Sequence, residues 1–153
     1  MNQPLKDGLA SAQVFEFTAE SRFEDIGPLV SQIVDTCRVF HANPGLEERY
    51  DTLQLCIAEA INNIVEHAYG GAPGHPVSAA VSLLENRIDV RLTDWGRPMP
   101  NGEPPSSWDG FDPDDLENLP EGGFGWMLIR SEMDDVQYSR KDDANVLCLT
   151  LLV

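Results

Sequence analysis

The chain has 153 residues, 42% hydrophobic and 24% charged. That is enough for one compact domain, which at this size buries about 68–70% of its unfolded surface without staples. Its 26 acidic against 10 basic residues give a net charge of −16, which argues against DNA, RNA or an anionic membrane as partner, because phosphate binding rests on basic neutralisation. Cys37, Cys56 and Cys148 lie far apart in apolar runs, with no C-x-x-C pair or Cys/His cluster, so neither a disulfide framework nor a zinc site is expected. The opening residues lack a basic-then-apolar signal pattern, and no apolar run reaches about 18 residues. A soluble cytoplasmic protein with reduced thiols is the expectation.

Residues 1–12 are polar and uneven and read as a loose tail, leaving one domain over 13–153. Val14, Phe15 and Phe17 suggest a short first strand. Ser21 with Glu24 three residues on forms a capping box, and apolar residues from Ile26 to Phe40 recur at helical spacing. Pro28 within that pattern moves the expected helix start toward Gly27, and Asn43-Pro44-Gly45 closes it. A second, central helix is expected from Leu46 to Tyr69, its apolar face carried by Leu53, Ile57, Ala60, Ile61, Ile64 and Ala68, its end marked by Gly70-Gly71. Two alternating runs, Val77 to Leu84 and Arg87 to Thr93, flank Glu85-Asn86 and predict a hairpin. The segment from Asp94 to Gly125 is rich in Pro, Gly and Asp and reads as a long functional loop. A short helix over 126–133 and a second hairpin around residues 141–145 complete the chain. This order predicts an α+β sandwich, an antiparallel or mixed sheet with helices on one face.

Three stretches carry the chemistry. On the central helix, E-A-I-N-N-I-V-E-H-A-Y at 59–69 sets Glu59, Asn63 and His67 at i, i+4 and i+8, a stripe in which successive members stand about 6 Å apart along the axis. Alone, that stripe is equally a solvated polar face. D-W-G-R-P at 94–98 places an acceptor, Asp94, at a strand end, able to take a hydrogen bond from an adenine exocyclic amine, with Gly96 letting backbone approach a flat base. E-G-G-F-G-W-M-L-I-R-S-E-M-D-D-V at 121–136 places Gly122, Gly123 and Gly125 before a helix, where backbone N–H groups can face phosphate oxygens. Asn63 offers a neutral oxygen suited to Mg²⁺, and Glu59 a carboxylate suited to a base. Each stretch in isolation has an ordinary structural reading: a polar helix face, a strand-ending turn, a flexible glycine run.

Together and in this order, the three stretches resemble the N, G1 and G2 boxes of the GHKL ATPase superfamily, and most nearly the RsbW-like anti-sigma-factor serine/threonine kinases. The resemblance covers roughly residues 14–153. It implies a two-layer α/β sandwich of the Bergerat type with a mixed, mainly antiparallel sheet. It implies ATP and Mg²⁺ as cofactors, with Glu59 as catalytic base, Asn63 at the metal, and Asn63, His67, Asp94, Gly96, Gly122, Gly123 and Gly125 around the nucleotide. The lid over the nucleotide would be 97–121. The chain departs from the pattern at Pro98, where many superfamily members have a second glycine, and at Trp126, where a small aliphatic residue is usual. Arg97 is the one basic residue of an otherwise acidic lid, and Arg130 is the remaining candidate cation for the γ-phosphate.

The leading expectation is therefore an ATP-dependent serine/threonine-protein kinase that phosphorylates a STAS-type antagonist and sequesters a sigma factor, switching partners as a homodimer. The alternative is a non-catalytic ATP-binding module that only sequesters a partner protein. The catalytic domain of a sensor histidine kinase ranks third, since the residues before Val14 hold no dimerisation helix with a phospho-acceptor histidine.

Overall fold

The computed structural model describes residues 12–104 and 124–153. Five strands form one sheet in the order β1-β2-β3-β5-β4: β1 Gln13–Glu20, β2 Pro76–Leu84, β3 Arg87–Asp94, β4 Asp135–Lys141 and β5 Ala144–Leu152. All four pairings are antiparallel, so the sheet is not mixed. The connections explain why: β2 to β3 and β4 to β5 are two-residue hairpins, which only antiparallel neighbours permit. The second hairpin turn is tighter than the expected one over 141–145. Asp142 and Asp143 both have positive φ, 53° and 64°, the backbone of a type I′ turn whose twist matches the strands it joins.

Three helices, α1 Phe23–Phe40, α2 Glu47–Asn63 and α3 Phe124–Glu132, complete the layer pair, with α2 between α1 and α3. Strands β2 and β3 alternate buried and half-buried residues, so one face carries Val77, Ala79, Val81, Leu83, Ile88, Val90 and Leu92 into the core. Against it pack Ile33, Val34 and Cys37 of α1, Leu53, Ile57 and Ile61 of α2, and Trp126 and Ile129 of α3. Each such large aliphatic side chain contributes about 1.5–3 kcal/mol through burial. The same burial pushes the Cys37 and Cys56 thiols up to about 12, so both are protonated and unreactive at neutral pH.

Two helix boundaries differ from the sequence expectation. Helix α1 starts at Phe23, and Pro28 lies inside it rather than at its start. Arg22 holds the N-cap position without a side-chain cap bond, so Ser21 is no capping residue. Its hydroxyl is taken elsewhere: it donates to Ala72 O at 2.7 Å and accepts from His75 N at 3.0 Å, tying the start of α1 to the turn before β2. The central helix is α-helical only to Asn63, after which Ile64–Ala68 form a π turn, with Tyr69 N donating to Ile64 O at 3.0 Å. Gly70 and Gly71, at φ 60° and 79°, end it where the glycine pair indicated. The third helix is already helical at Phe124, the first residue described on that side, two residues before the expected start. No helix among the described residues is long and apolar enough to cross a membrane.

Candidate functional site

The site lies where the C-terminal end of α2 meets the C-terminal end of β3. Asp94 is the last residue of β3 and continues its inward phase after Ile88, Val90 and Leu92, so the pleat carries a carboxylate to the buried face, where it is only 4% exposed. Its Oδ1 accepts from Gly96 N at 2.9 Å and from Asn145 Nδ2 at 2.8 Å. Among the described residues no donor meets Oδ2. Burial holds the carboxyl above the usual carboxylate range, opposed by those two hydrogen bonds and by the charge of Arg140.

The helix end and the strand end are fastened by backbone and by Tyr69. A Cβ added at Gly96 would lie 2.6 Å from the Ala68 carbonyl carbon, so the helix by itself requires glycine there. Arg97 N donates to Ala68 O at 2.8 Å, and its guanidinium to His67 O at 3.1 Å, so the one basic residue of the expected lid satisfies carbonyls at the helix C-terminus. The Tyr69 hydroxyl donates to Pro76 O at 2.6 Å and accepts from Trp95 N at 2.9 Å, holding the start of β2 and the residue after Asp94 to the helix.

On α2, Glu59 and Asn63 are half-buried. Gly125, at the second position of α3, sits against Glu59: a Cβ there would come 2.5 Å from Glu59 Oε2. The helix box therefore meets both of the other sequence boxes, the strand-end box at Ala68 and the glycine box at Glu59. No described residue donates a hydrogen bond or ion pair to the Glu59 carboxylate. Asn63 Nδ2 is buried without a hydrogen-bond partner among the described residues. A buried polar atom left unpaired is costly, and such exceptions call for an explanation in a missing partner.

His67 stands apart. The helix widens directly after Asn63, and the His67 side chain is 67% exposed, facing Glu66 at 4.0 Å. Gly122, Gly123 and the lid beyond residue 104 lie outside the described residues. Arg130 reaches back to the lid's entry, its Nη2 donating to Pro104 O at 2.9 Å.

One residue of the site escaped the sequence reading. Asn145, 3% exposed, is the register partner of Asp94 across β3 and β5. Its Nδ2 donates to Asp94 Oδ1, to Gly96 O at 3.2 Å and to Arg97 O at 3.0 Å, while its Oδ1 accepts from Tyr138 Oη at 2.7 Å and Arg140 Nη1 at 2.8 Å. With β5 beginning at Ala144, Asn145 shares the strand's inward phase with Leu147, Leu149 and Leu151. A polar residue in such a position must find partners.

The orphan N–H of the Asn63 amide, and the Asp94 Oδ2 and Glu59 carboxylate that meet no donor among the described residues, are groups that a phosphate oxygen, an adenine amine and a phosphoryl acceptor would engage, so the residues fit a nucleotide, whose metal would have the Asn63 oxygen as a candidate ligand. Among the described residues no cluster of His, Cys, Asp or Glu forms a metal site by itself.

Residues 27–151 match the family described as the histidine kinase-like ATPase domain. The chain is 36% identical over 102 residues to the serine/threonine-protein kinase BtrW of Bordetella bronchiseptica, covering 65% of this chain and 68% of that one. It is 30% identical over 95 residues to the serine-protein kinase RsbW of Oceanobacillus iheyensis, covering 61% and 60%. To RsbW of Bacillus cereus it is 33% identical over 98 residues, covering 63% and 61%. The chain thus spans about three fifths of the length of these two RsbW relatives.

Proposed function

Because this chain belongs to the histidine kinase-like ATPase family, beside the RsbW and BtrW serine-protein kinases, we propose that it transfers the γ-phosphoryl of ATP to a serine or threonine hydroxyl of a partner protein. The observation that carries this reading is the close approach of Gly125 to Glu59, which sets the glycine box against a carboxylate placed to act as base. Asp94 accepts from the adenine amine through Oδ2, and Asn63 offers its side-chain oxygen to Mg²⁺ and its amide to a phosphate oxygen. Gly125 turns its backbone amide to the phosphates, and Gly122 and Gly123, outside the described residues, are assigned to them by the family likeness alone. Gly96 contributes by fixing Asp94 against the helix, and His67 stands at the rim. Bound Mg²⁺ neutralises phosphate charge. The hydroxyl oxygen of the partner attacks the γ-phosphorus as its proton passes to Glu59, and ADP leaves with the bridging oxygen. Positioning and charge stabilisation then account for most of the rate.

The partner is a STAS-type antagonist, phosphorylation of which releases it, and a sigma factor is the protein sequestered in its place. This assignment rests on the resemblance to the RsbW-like anti-sigma kinases. The cytoplasm is the compartment where such partners meet. A homodimer follows from the same likeness and is favoured by β1, an edge strand with exposed Val14 and Phe15. Incubation with γ-labelled Mg-ATP and candidate STAS proteins should label serine or threonine on one of them. Tight, nucleotide-dependent binding without label would instead select the sequestering module.

A further inference from the structure

We propose that Asn145 sets the base specificity of the nucleotide site by leaving Asp94 a single open acceptor oxygen. The inference rests on the reading of Asp94 as the adenine acceptor and assigns a role to a residue outside all three sequence boxes.

The orientation of the Asn145 amide is fixed by its surroundings. Its oxygen faces two donors, Tyr138 Oη and Arg140 Nη1, and its nitrogen faces three acceptors, Asp94 Oδ1, Gly96 O and Arg97 O. A flipped amide would set donors against donors and acceptors against acceptors, so Nδ2 points at Asp94. Oδ1 then accepts twice, from Asn145 Nδ2 at 2.8 Å and Gly96 N at 2.9 Å, which fills both its lone pairs. Among the described residues nothing donates to Oδ2.

A carboxylate so held can satisfy one donor. Adenine presents one exocyclic amine beside a ring acceptor and needs no more. Guanine presents a ring N–H and an amine side by side, a pair that a free carboxylate would bind through both oxygens. With Oδ1 filled, the second guanine donor enters a buried site without a partner, and a site of this kind rejects by what it leaves unpaired. Gly96 N–H is backbone and cannot be exchanged. Asn145 is therefore the residue whose side chain decides whether Asp94 offers one oxygen or nearly two.

The test compares dissociation constants of Mg-ATP and Mg-GTP by titration calorimetry for the wild type, Asn145→Ala and Asn145→Val, the last keeping a strand-forming side chain without a donor. The ratio is read rather than the affinity, because general loosening would weaken both nucleotides alike. Wild type should prefer ATP by at least roughly tenfold, and both variants should lose on the order of tenfold of that preference. Wild type binding GTP as tightly as ATP would overturn the proposal even if neither variant folds. ATP-selective variants with an unchanged ratio would overturn it while leaving the nucleotide site intact. Binding of neither nucleotide by the wild type would overturn the nucleotide reading itself.

Discussion

Asp94 is a buried carboxyl that, as the proposed adenine acceptor, would have to stay ionised, and its titration follows from that. Its pKa is raised by desolvation and pulled back by Asn145, Gly96 and Arg140. A carboxyl whose folded pKa lies above its unfolded value favours folding below the unfolded pKa, and that contribution is lost as pH rises through the folded one. At pH 7 the ionised form is thus a cost to the fold. Asp94→Asn should hold or raise the Tm at neutral pH, because its oxygen still accepts from Gly96 and Asn145. It should weaken ATP by about ten- to a hundredfold, since a donor replaces the acceptor facing the base. Melting curves and calorimetry together check this, and unreduced ATP affinity would remove Asp94 from the base. In wild type, ATP affinity should fall with acidification at a higher pH than an exposed carboxylate titrates. In Asn145→Ala the fall should begin higher still, and comparing the two cancels the titration of the nucleotide itself. Asp94 was legible from its strand-end position. Asn145 was not, because it was read as the last residue of a turn, and only the two-residue hairpin at Asp142 and Asp143 puts it on the inward phase of β5.

At the level of elements, the joint between helix and strand decides the geometry. Gly96→Ala would press a methyl onto the Ala68 backbone, which cannot rotate away, and would strain the Arg97 N to Ala68 O bond. Overpacking of this sort costs about 1–3 kcal/mol, and a chain of this length loses roughly 2–4 °C of Tm per kcal/mol. Gly125→Ala meets a side chain instead, most closely the movable Glu59 Oε2 at 2.5 Å, with Glu59 Cβ and Cδ at 3.3 Å. It should cost less Tm than Gly96→Ala and lower phosphoryl transfer by displacing Glu59. Thermal melts of the pair, run beside a transfer assay, check both, and a Tm equally low in the two variants would contradict the distinction. The elements themselves were largely visible in the residue pattern. Glu85-Asn86 between alternating runs marked the first hairpin, and helical spacing marked the cores of α1 and α2. What local pattern could not show was where distant groups take over. Ser21 gave up its cap to bind Ala72 and His75, and the π turn is held by Arg97 from beyond the end of β3.

Across the whole molecule, the sheet order brings β3 and β5 side by side, and α2 lies between the other helices over the core. That arrangement lets residues from 59 to 145 converge on one end of the sandwich, and with 26 acidic against 10 basic residues a nucleotide bound as proposed would depend on Mg²⁺ and backbone amides to neutralise its charge. The sandwich was legible from the alternation of strand and helix patterns, but its fully antiparallel sheet depended on the hairpins being tight. In the proposed mechanism the approach of α3 to Glu59 makes this end of the fold a phosphotransferase site. Its most direct test is single-turnover transfer from Mg-ATP to a bound partner by wild type and Glu59→Gln, with nucleotide and partner affinities measured on the same preparations. Glu59→Gln should bind both about as well as wild type and transfer roughly 10²–10⁴-fold more slowly, the range typical of a lost general base. Equal transfer rates in the two proteins would contradict it.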